Sequence, residues 1–277
     1  MESDREALPK LSSLDALRWH LEMAIDEVIE DQPIDRFASA APVPTAVSSK
    51  LPTLQPPSTR STSPASSGQP LAPAEGAREA INIARDASSI EDLRERLEKF
   101  SGCALKFTAT NTVFADGNPE SDLMFIGEAP GVDEDRQGLP FVGASGKLLN
   151  RMLSALGQER SSVYISNILF WRPPGNRSPT ASESAACLPF VQRHIELAQP
   201  KILVFLGGSS AKVMLCRTEG IMRLRGKWFE YRSDGLDTPI PAMPTFHPAF
   251  LLRQPAQKRE AWRDFLAIQE KLQKMRT

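Results

Sequence analysis

Apolar positions along this chain follow two periods, and the switches between them lay out its elements. Leu14, Leu17, Leu21, Ile25 and Ile29 recur at helical spacing, so residues 13–30 read as one amphipathic helix with Ser13 as its N-cap. Residues 37–76 have no period. Their eight prolines among Ala, Ser and Thr cannot bury enough surface to offset the entropy of ordering, which predicts a disordered linker. Ser89 to Asp92 resembles a capping box, and Ile90, Leu93, Leu97 and Phe100 form a helix face closed by Gly102. Beyond it, short apolar runs at 112–114, 123–126, 163–170, 202–206, 228–231 and 243–246 read as strands. Helical patterns at 145–156, 180–198, 209–215 and 259–275 alternate with them. The expectation is an α/β fold, a three-layer α/β/α sandwich with a mostly parallel central sheet. The predicted organisation is an N-terminal helical segment (1–36), a linker (37–76) and one folded domain (77–277).

Charge refines this division. The net charge of −1 hides a net of −5 over residues 1–76 and of +4 over the remainder. A mildly basic domain behind an acidic front segment is compatible with nucleic-acid binding without requiring it. No apolar run has the length of a membrane span. The start, Met1 to Arg5, lacks the apolar stretch of a secretory leader, and Cys103, Cys187 and Cys216 are too widely spaced for a disulfide scaffold. A cytoplasmic protein, acting as a monomer with no membrane partner, is expected.

Candidate chemistry lies in three irregular segments, each following a predicted strand: 127–143, 171–179 and 247–253. Such strand ends gather on one edge of a doubly wound sheet. The first carries Glu128, Asp133, Glu134, Asp135 and Arg136, and then Phe141 in a Gly/Pro setting. It is longer and more charged than a connection needs. The other two add Asn176, several arginines and His247. The Gly127 segment has neither the Gly-Lys-Ser/Thr ending of a phosphate-binding loop nor a G-x-G-x-x-G pattern, which argues against nucleotide hydrolysis and dinucleotide binding.

Gly127-Glu-Ala-Pro-Gly131, Gly138 to Gly143, Asn167, Arg172-Pro-Pro-Gly-Asn-Arg177 and His247-Pro-Ala249 together resemble the family 4 uracil-DNA glycosylases, in motif order, from about Phe100 to Lys271. The resemblance implies a monofunctional enzyme of base excision repair that hydrolyses the N-glycosidic bond of uracil in DNA. By the same resemblance Phe141 stacks on the extruded base and Asn167 reads its polar edge, an amide offering a donor and an acceptor side by side. His247 faces uracil O2 as negative charge develops there. Glu128 and Glu134 are the candidates for holding water and stabilising the cationic sugar, and the choice between them stays open. Gly131 and Ser145 let a phosphate approach a helix N-terminus. Arg172, Asn176, Arg177 and Arg253 contact the DNA backbone, and Leu251 is the apolar wedge beside the extruded base. The segment 171–179 holds no histidine, so the covalent product trapping of one specialised branch is not expected.

In one respect the chain departs from the family. Its members hold a 4Fe-4S cluster on four cysteines; here Cys103 and Cys187 match two of those positions, and Phe100 and Trp171 occupy the others. Two thiolates do not hold a cluster that needs four ligands, so no cluster and no other metal is expected. Two alternatives stay in view: a non-catalytic DNA-binding or recruiting module on the same fold, and a glycosylase for another deaminated base such as hypoxanthine. Residues 13–30 are a candidate docking segment for a repair or replication protein.

Overall fold

The computed structural model describes residues 73–276. The helix expected at 13–30 and the linker up to residue 72 lie outside the described residues. Helix α1 (Pro73–Arg85) opens the described part, so the last four residues assigned to the linker are helical. A proline in the first turn suits a helix start, and the Ala-rich face of α1 packs through Ala80 and Ala84. Helix α2 (Ile90–Lys99) is capped by Ser89, whose side chain accepts from the Asp92 amide (3.1 Å). Asp92 reaches back to the Ser88 amide (2.9 Å) instead of that of Ser89, which displaces the expected capping box by one residue.

The remaining elements are β1 (Ala115–Gly117), β2 (Leu123–Gly127), α3 (Val132–Gln137), α4 (Ala144–Ser154), β3 (Tyr164–Asn167), α5 (Ala181–Ala198), β4 (Ile202–Leu206), α6 (Gly208–Leu215), α7 (Ile221–Leu224), β5 (Phe229–Tyr231), β6 (Ile240–Thr245), α8 (Pro248–Arg253) and α9 (Lys258–Lys274). One sheet runs in the order β1-β3-β2-β4-β6-β5. The inner pairs β3/β2, β2/β4 and β4/β6 are parallel, and both edge strands are antiparallel.

Strand alternation sorts the core into two layers. Met124, Ile126, Leu203, Phe205 and Ala242 face α1, α2, α5 and α6. Leu123, Phe125, Ile165, Val204, Leu206 and Met243 face α4 and α9. Phe125 and Phe205 are fully buried, each contributing about 1.5–3 kcal/mol of transfer free energy. Three layers around a mainly parallel sheet match the expected class.

Several boundaries moved. The strand expected at 112–114 falls at 115–117, because Val113 instead donates to the Phe170 carbonyl (2.8 Å). Pairing in the 163–170 run ends at Asn167, where the chain turns and Ile168 and Leu169 bond to the carbonyls of Gly127 and Glu128 (both 3.0 Å). Strand β6 begins three residues before the expected 243. Pro241 and Pro244 obscure it in the sequence, since proline argues against an inner strand. The acidic loop contains the short helix α3, and 247–253 becomes α8. Helix α5 keeps its expected start, with Thr180 and Glu183 forming a reciprocal cap (3.2 and 2.8 Å).

Candidate active site

The C-terminal ends of β2, β3 and β6 open into one cavity of about 480 Å³. Its wall brings together Glu128, Gly131, Glu134, Phe141, Ser145, Asn167, Asn176, Arg177, His247 and Arg253, residues drawn from all three irregular segments. This is the crevice at strand ends where open α/β sheets place their ligands.

Register makes the first contact. Gly127 and Asn167 are parallel partners at the ends of β2 and β3. A side chain at 127 would overlap Asn167 Oδ1 and lie 2.6 Å from Phe141 Cζ, so only glycine lets the amide and the ring share that corner. Asn167 is 1% exposed, and its Oδ1 is buried with no hydrogen-bond partner. A buried acceptor left open costs about 1–3 kcal/mol unless a ligand satisfies it.

Phe141 has a left-handed backbone (φ 52°), which costs a bulky residue about 1–3 kcal/mol. Glu134 helps to hold it there. Its Oε1 accepts from the amides of Val142 and Gly143 (both 2.9 Å), and its Oε2 from that of Gly131 (3.1 Å). Gly146, at the start of α4, gives the Phe141 carbonyl room that a side chain would fill. Both Glu134 oxygens are thus engaged by backbone, whereas the Glu128 carboxylate lines the cavity with no hydrogen-bond or ion-pair partner among the described residues. The geometry distinguishes the two candidates: loop amides occupy both Glu134 oxygens, and the Glu128 carboxylate has no partner among the described residues.

His247 caps α8 and sits 5.5 Å from Phe141, ring centre to ring centre. The Ala249 amide donates to Nδ1 (3.1 Å), so the neutral ring carries its proton on Nε2. Burial pushes its pKa down to about 4, the nearby Arg253 guanidinium adds to the shift, and Glu134 opposes it. The group is therefore a neutral N–H donor near pH 7.

The backbone-contact candidates divide. Arg253 is exposed at the cavity rim with no ion-pair partner among the described residues. Arg177 forks onto Glu183 (2.9 and 2.6 Å), so a carboxylate already offsets its charge. Arg172 lies off the wall and donates to Asn176 Oδ1 (2.8 Å). The wedge assignment of Leu251 is not met. Leu251 is fully buried against Phe246 and Ala261, because α8 turns that face inward. Of the other apolar residues of α8, Ala249 and Phe250 line the cavity, the Phe250 ring resting on Phe246 (4.9 Å), and Leu252 is 44% exposed. Sequence reasoning passed over Phe250; its place beside the His-Pro motif, in a segment read as irregular, was the available signal.

In the layer of α1, α2, α5 and α6, Cys103 and Cys187 are both buried; the interaction between the two thiols lowers the pKa of Cys103 and, with burial, raises that of Cys187. Phe100 packs on Phe190 (5.1 Å), and the Trp171 indole donates to Thr112 Oγ1 (3.0 Å). Two thiols and two packed aromatic rings do not supply the ligands of a four-cysteine cluster.

The Uracil DNA glycosylase superfamily model matches residues 114–266. The type-4 uracil-DNA glycosylase of Sulfurisphaera tokodaii is 39% identical over 187 residues, covering 66% of this chain and 84% of that protein. That of Archaeoglobus fulgidus is 38% identical over 186 residues, covering 66% and 92%. That of Thermotoga maritima is 38% identical over 165 residues, covering 59% and 83%.

Proposed function

This chain belongs to the uracil-DNA glycosylase superfamily and to its type-4 family, and from that premise we propose that it hydrolyses uracil from DNA through the cavity at the ends of β2, β3 and β6. The observation that carries the reading is the open, buried Asn167 Oδ1 next to the Phe141 ring. A uracil stacked on Phe141 presents N3–H and O4 together, and an asparagine amide satisfies both. Cytosine has a lone pair where uracil has N3–H, so it would leave this acceptor opposed.

As the C1′–N1 bond breaks, electrons pass to the base and the sugar becomes cationic. The His247 Nε2–H stabilises the charge on O2 without giving up its proton. Glu128 orients a water whose oxygen bonds to C1′ and accepts the proton that this water sheds, which neutralises the departing uracil anion at the end of the step. The negative charge of Glu128 favours the cation. Glu134 acts through the loop it holds. No lysine lines the cavity among the described residues, in keeping with simple hydrolysis and no lyase step. The enzyme works without an iron–sulfur cluster, its place taken by Phe100 and Trp171.

The test is uracil release from a uracil-containing oligonucleotide by the purified protein, with Asn167→Ala and His247→Ala alongside, hypoxanthine and xanthine substrates in parallel, and iron content measured on the same preparation. Expected are release of uracil, a loss of about 10³-fold or more on removing the Asn167 amide, and no bound iron. DNA binding without base release would overturn the catalytic reading in favour of a recruiting module. Preferred release of hypoxanthine would change the base. Stoichiometric iron with visible absorption would overturn the cluster-free assignment.

A further inference from the structure

One ion pair outside the cavity is built into its wall. Arg160, in the turn before β3, pairs through Nε with Asp116 on the edge strand β1. Its Nη1 donates to the Phe141 carbonyl (3.0 Å) and to Asn150 Oδ1 (3.2 Å), and its Nη2 to the Pro140 carbonyl. The guanidinium is therefore spent on two successive carbonyls of the Phe141 loop. It is about one-fifth exposed and does not touch the cavity.

The peptide that follows Phe141 is gripped at both ends. Its carbonyl accepts from Arg160, and its N–H, on Val142, donates to Glu134. A cation on one side and an anion on the other fix the plane of that peptide. With it they fix the left-handed turn at Phe141, a conformation a phenylalanine would leave if either grip were lost. Charge-assisted bonds of this kind are the strong ones, and a guanidinium reaches two carbonyls and a carboxylate at once where an ammonium would not.

We propose that Arg160, anchored by Asp116, is a positioning residue that presets the Phe141 ring for the extruded base. The proposal rests on reading Phe141 as the base-stacking ring. It predicts an effect on catalysis that passes through that ring and through nothing else.

Two measurements test it. The first is single-turnover uracil release by Arg160→Ala, Arg160→Lys, Asp116→Asn, Phe141→Ala and the Arg160→Ala/Phe141→Ala pair. Arg160→Ala is expected to slow release about 10- to 100-fold, the scale of a misplacement near 1 Å, with Arg160→Lys restoring little. In the Phe141→Ala background the same change is expected to cost less than about 3-fold, the non-additivity of two residues acting as one unit. An equal loss in both backgrounds, or no loss in either, overturns the proposal. Asp116→Asn leaves the guanidinium in place and carries the test if Arg160→Ala does not fold.

The second places 4-fluorophenylalanine at position 141 alone and follows its fluorine resonance. One sharp line in the parent and a shifted, split or broadened line in Asp116→Asn and Arg160→Ala are expected. An unchanged line overturns the proposal. This readout needs no activity, so a parent protein that releases no uracil would defeat the base-release reading while leaving the positioning claim to be decided by the resonance.

Discussion

The cavity opens at the C-terminal ends of the strands, the Cys103–Cys187 layer packs on one face of the same sheet, and the two use their polar groups differently. In the cavity, Asn167 Oδ1 is buried without a partner, Glu128 has none among the described residues, and Phe141 is held in a strained turn. In the cysteine layer, the thiols lie against each other, the Trp171 indole has Thr112, and Phe100 lies on Phe190. That layer has its own exceptions: His194 Nδ1 lacks a partner although Nε2 meets the Tyr164 hydroxyl (2.7 Å), and the Tyr231 hydroxyl and Glu79 Oε2 are buried without one. The difference teaches how to recognise a binding site in a folded chain. A buried polar group without a partner does not mark a site by itself; in the cavity it coincides with a strained turn and an unpaired carboxylate at the strand ends, a preset geometry that a ligand can meet.

The sharpest way to break that comparison is to remove groups that are equal in type but unequal in bonding. Glu128→Gln is expected to slow uracil release by about 10²–10⁴-fold, the range for a positioned acid or base, with the unfolding midpoint unchanged. Glu134→Gln weakens three bonds from backbone amides and is expected to lower stability by about 1–3 kcal/mol as well as activity. Kinetics and urea unfolding on both variants check this; equal destabilisation by the two would erase the distinction between them. In the cysteine layer the order reverses. Trp171, 1% exposed, is expected to cost about 3–5 kcal/mol when changed to alanine, while the release rate of the molecules still folded stays near the parent's. A catalytic loss at full folding would show that this layer shapes the site after all.

Much of this was legible from residue order, and the misses share a cause. The strands around 123–126 and 202–206 announced themselves as short apolar runs, and motif residues that follow β2, β3 and β6 converge in the cavity. Helix α3 escaped because its six residues are mostly charged and too short to show a period. Strand β6 escaped behind its two prolines. Leu251 was placed by its position in the family motif, but position along a chain does not say which side of α8 faces inward. The division of labour between Glu128 and Glu134 depends on amides that a turn brings back eight and nine residues later. The grip of Arg160 spans 19 residues to Phe141. Pattern shows which residues are present; only the folded backbone shows which of their bonds are already taken.

The smallest expected effect compares the two described histidines, one in the cavity and one in the cysteine layer. Burial pushes His194 down to about 3 and His247 to about 4, against an ordinary value near 6.5. Between those limits the unfolded chain binds protons that the folded one refuses, so acid favours unfolding. Each histidine's contribution is complete above about pH 6.5 and is lost as the pH falls toward 4 for His247 and toward 3 for His194, at up to about 1.4 kcal/mol per pH unit. Urea unfolding between pH 5 and 7 reads these groups through the difference between parent and variant, because carboxylates held low, such as Glu183 at about 2, stay ionised throughout and Asp264, whose pKa burial raises, is common to all three proteins. His194→Gln and His247→Gln are each expected to flatten the slope by roughly one proton's worth, whatever they do to the absolute stability. An identical slope in the parent and both variants would mean that neither ring is held neutral by its surroundings, and the neutral Nε2–H donor assigned to His247 would fall with it.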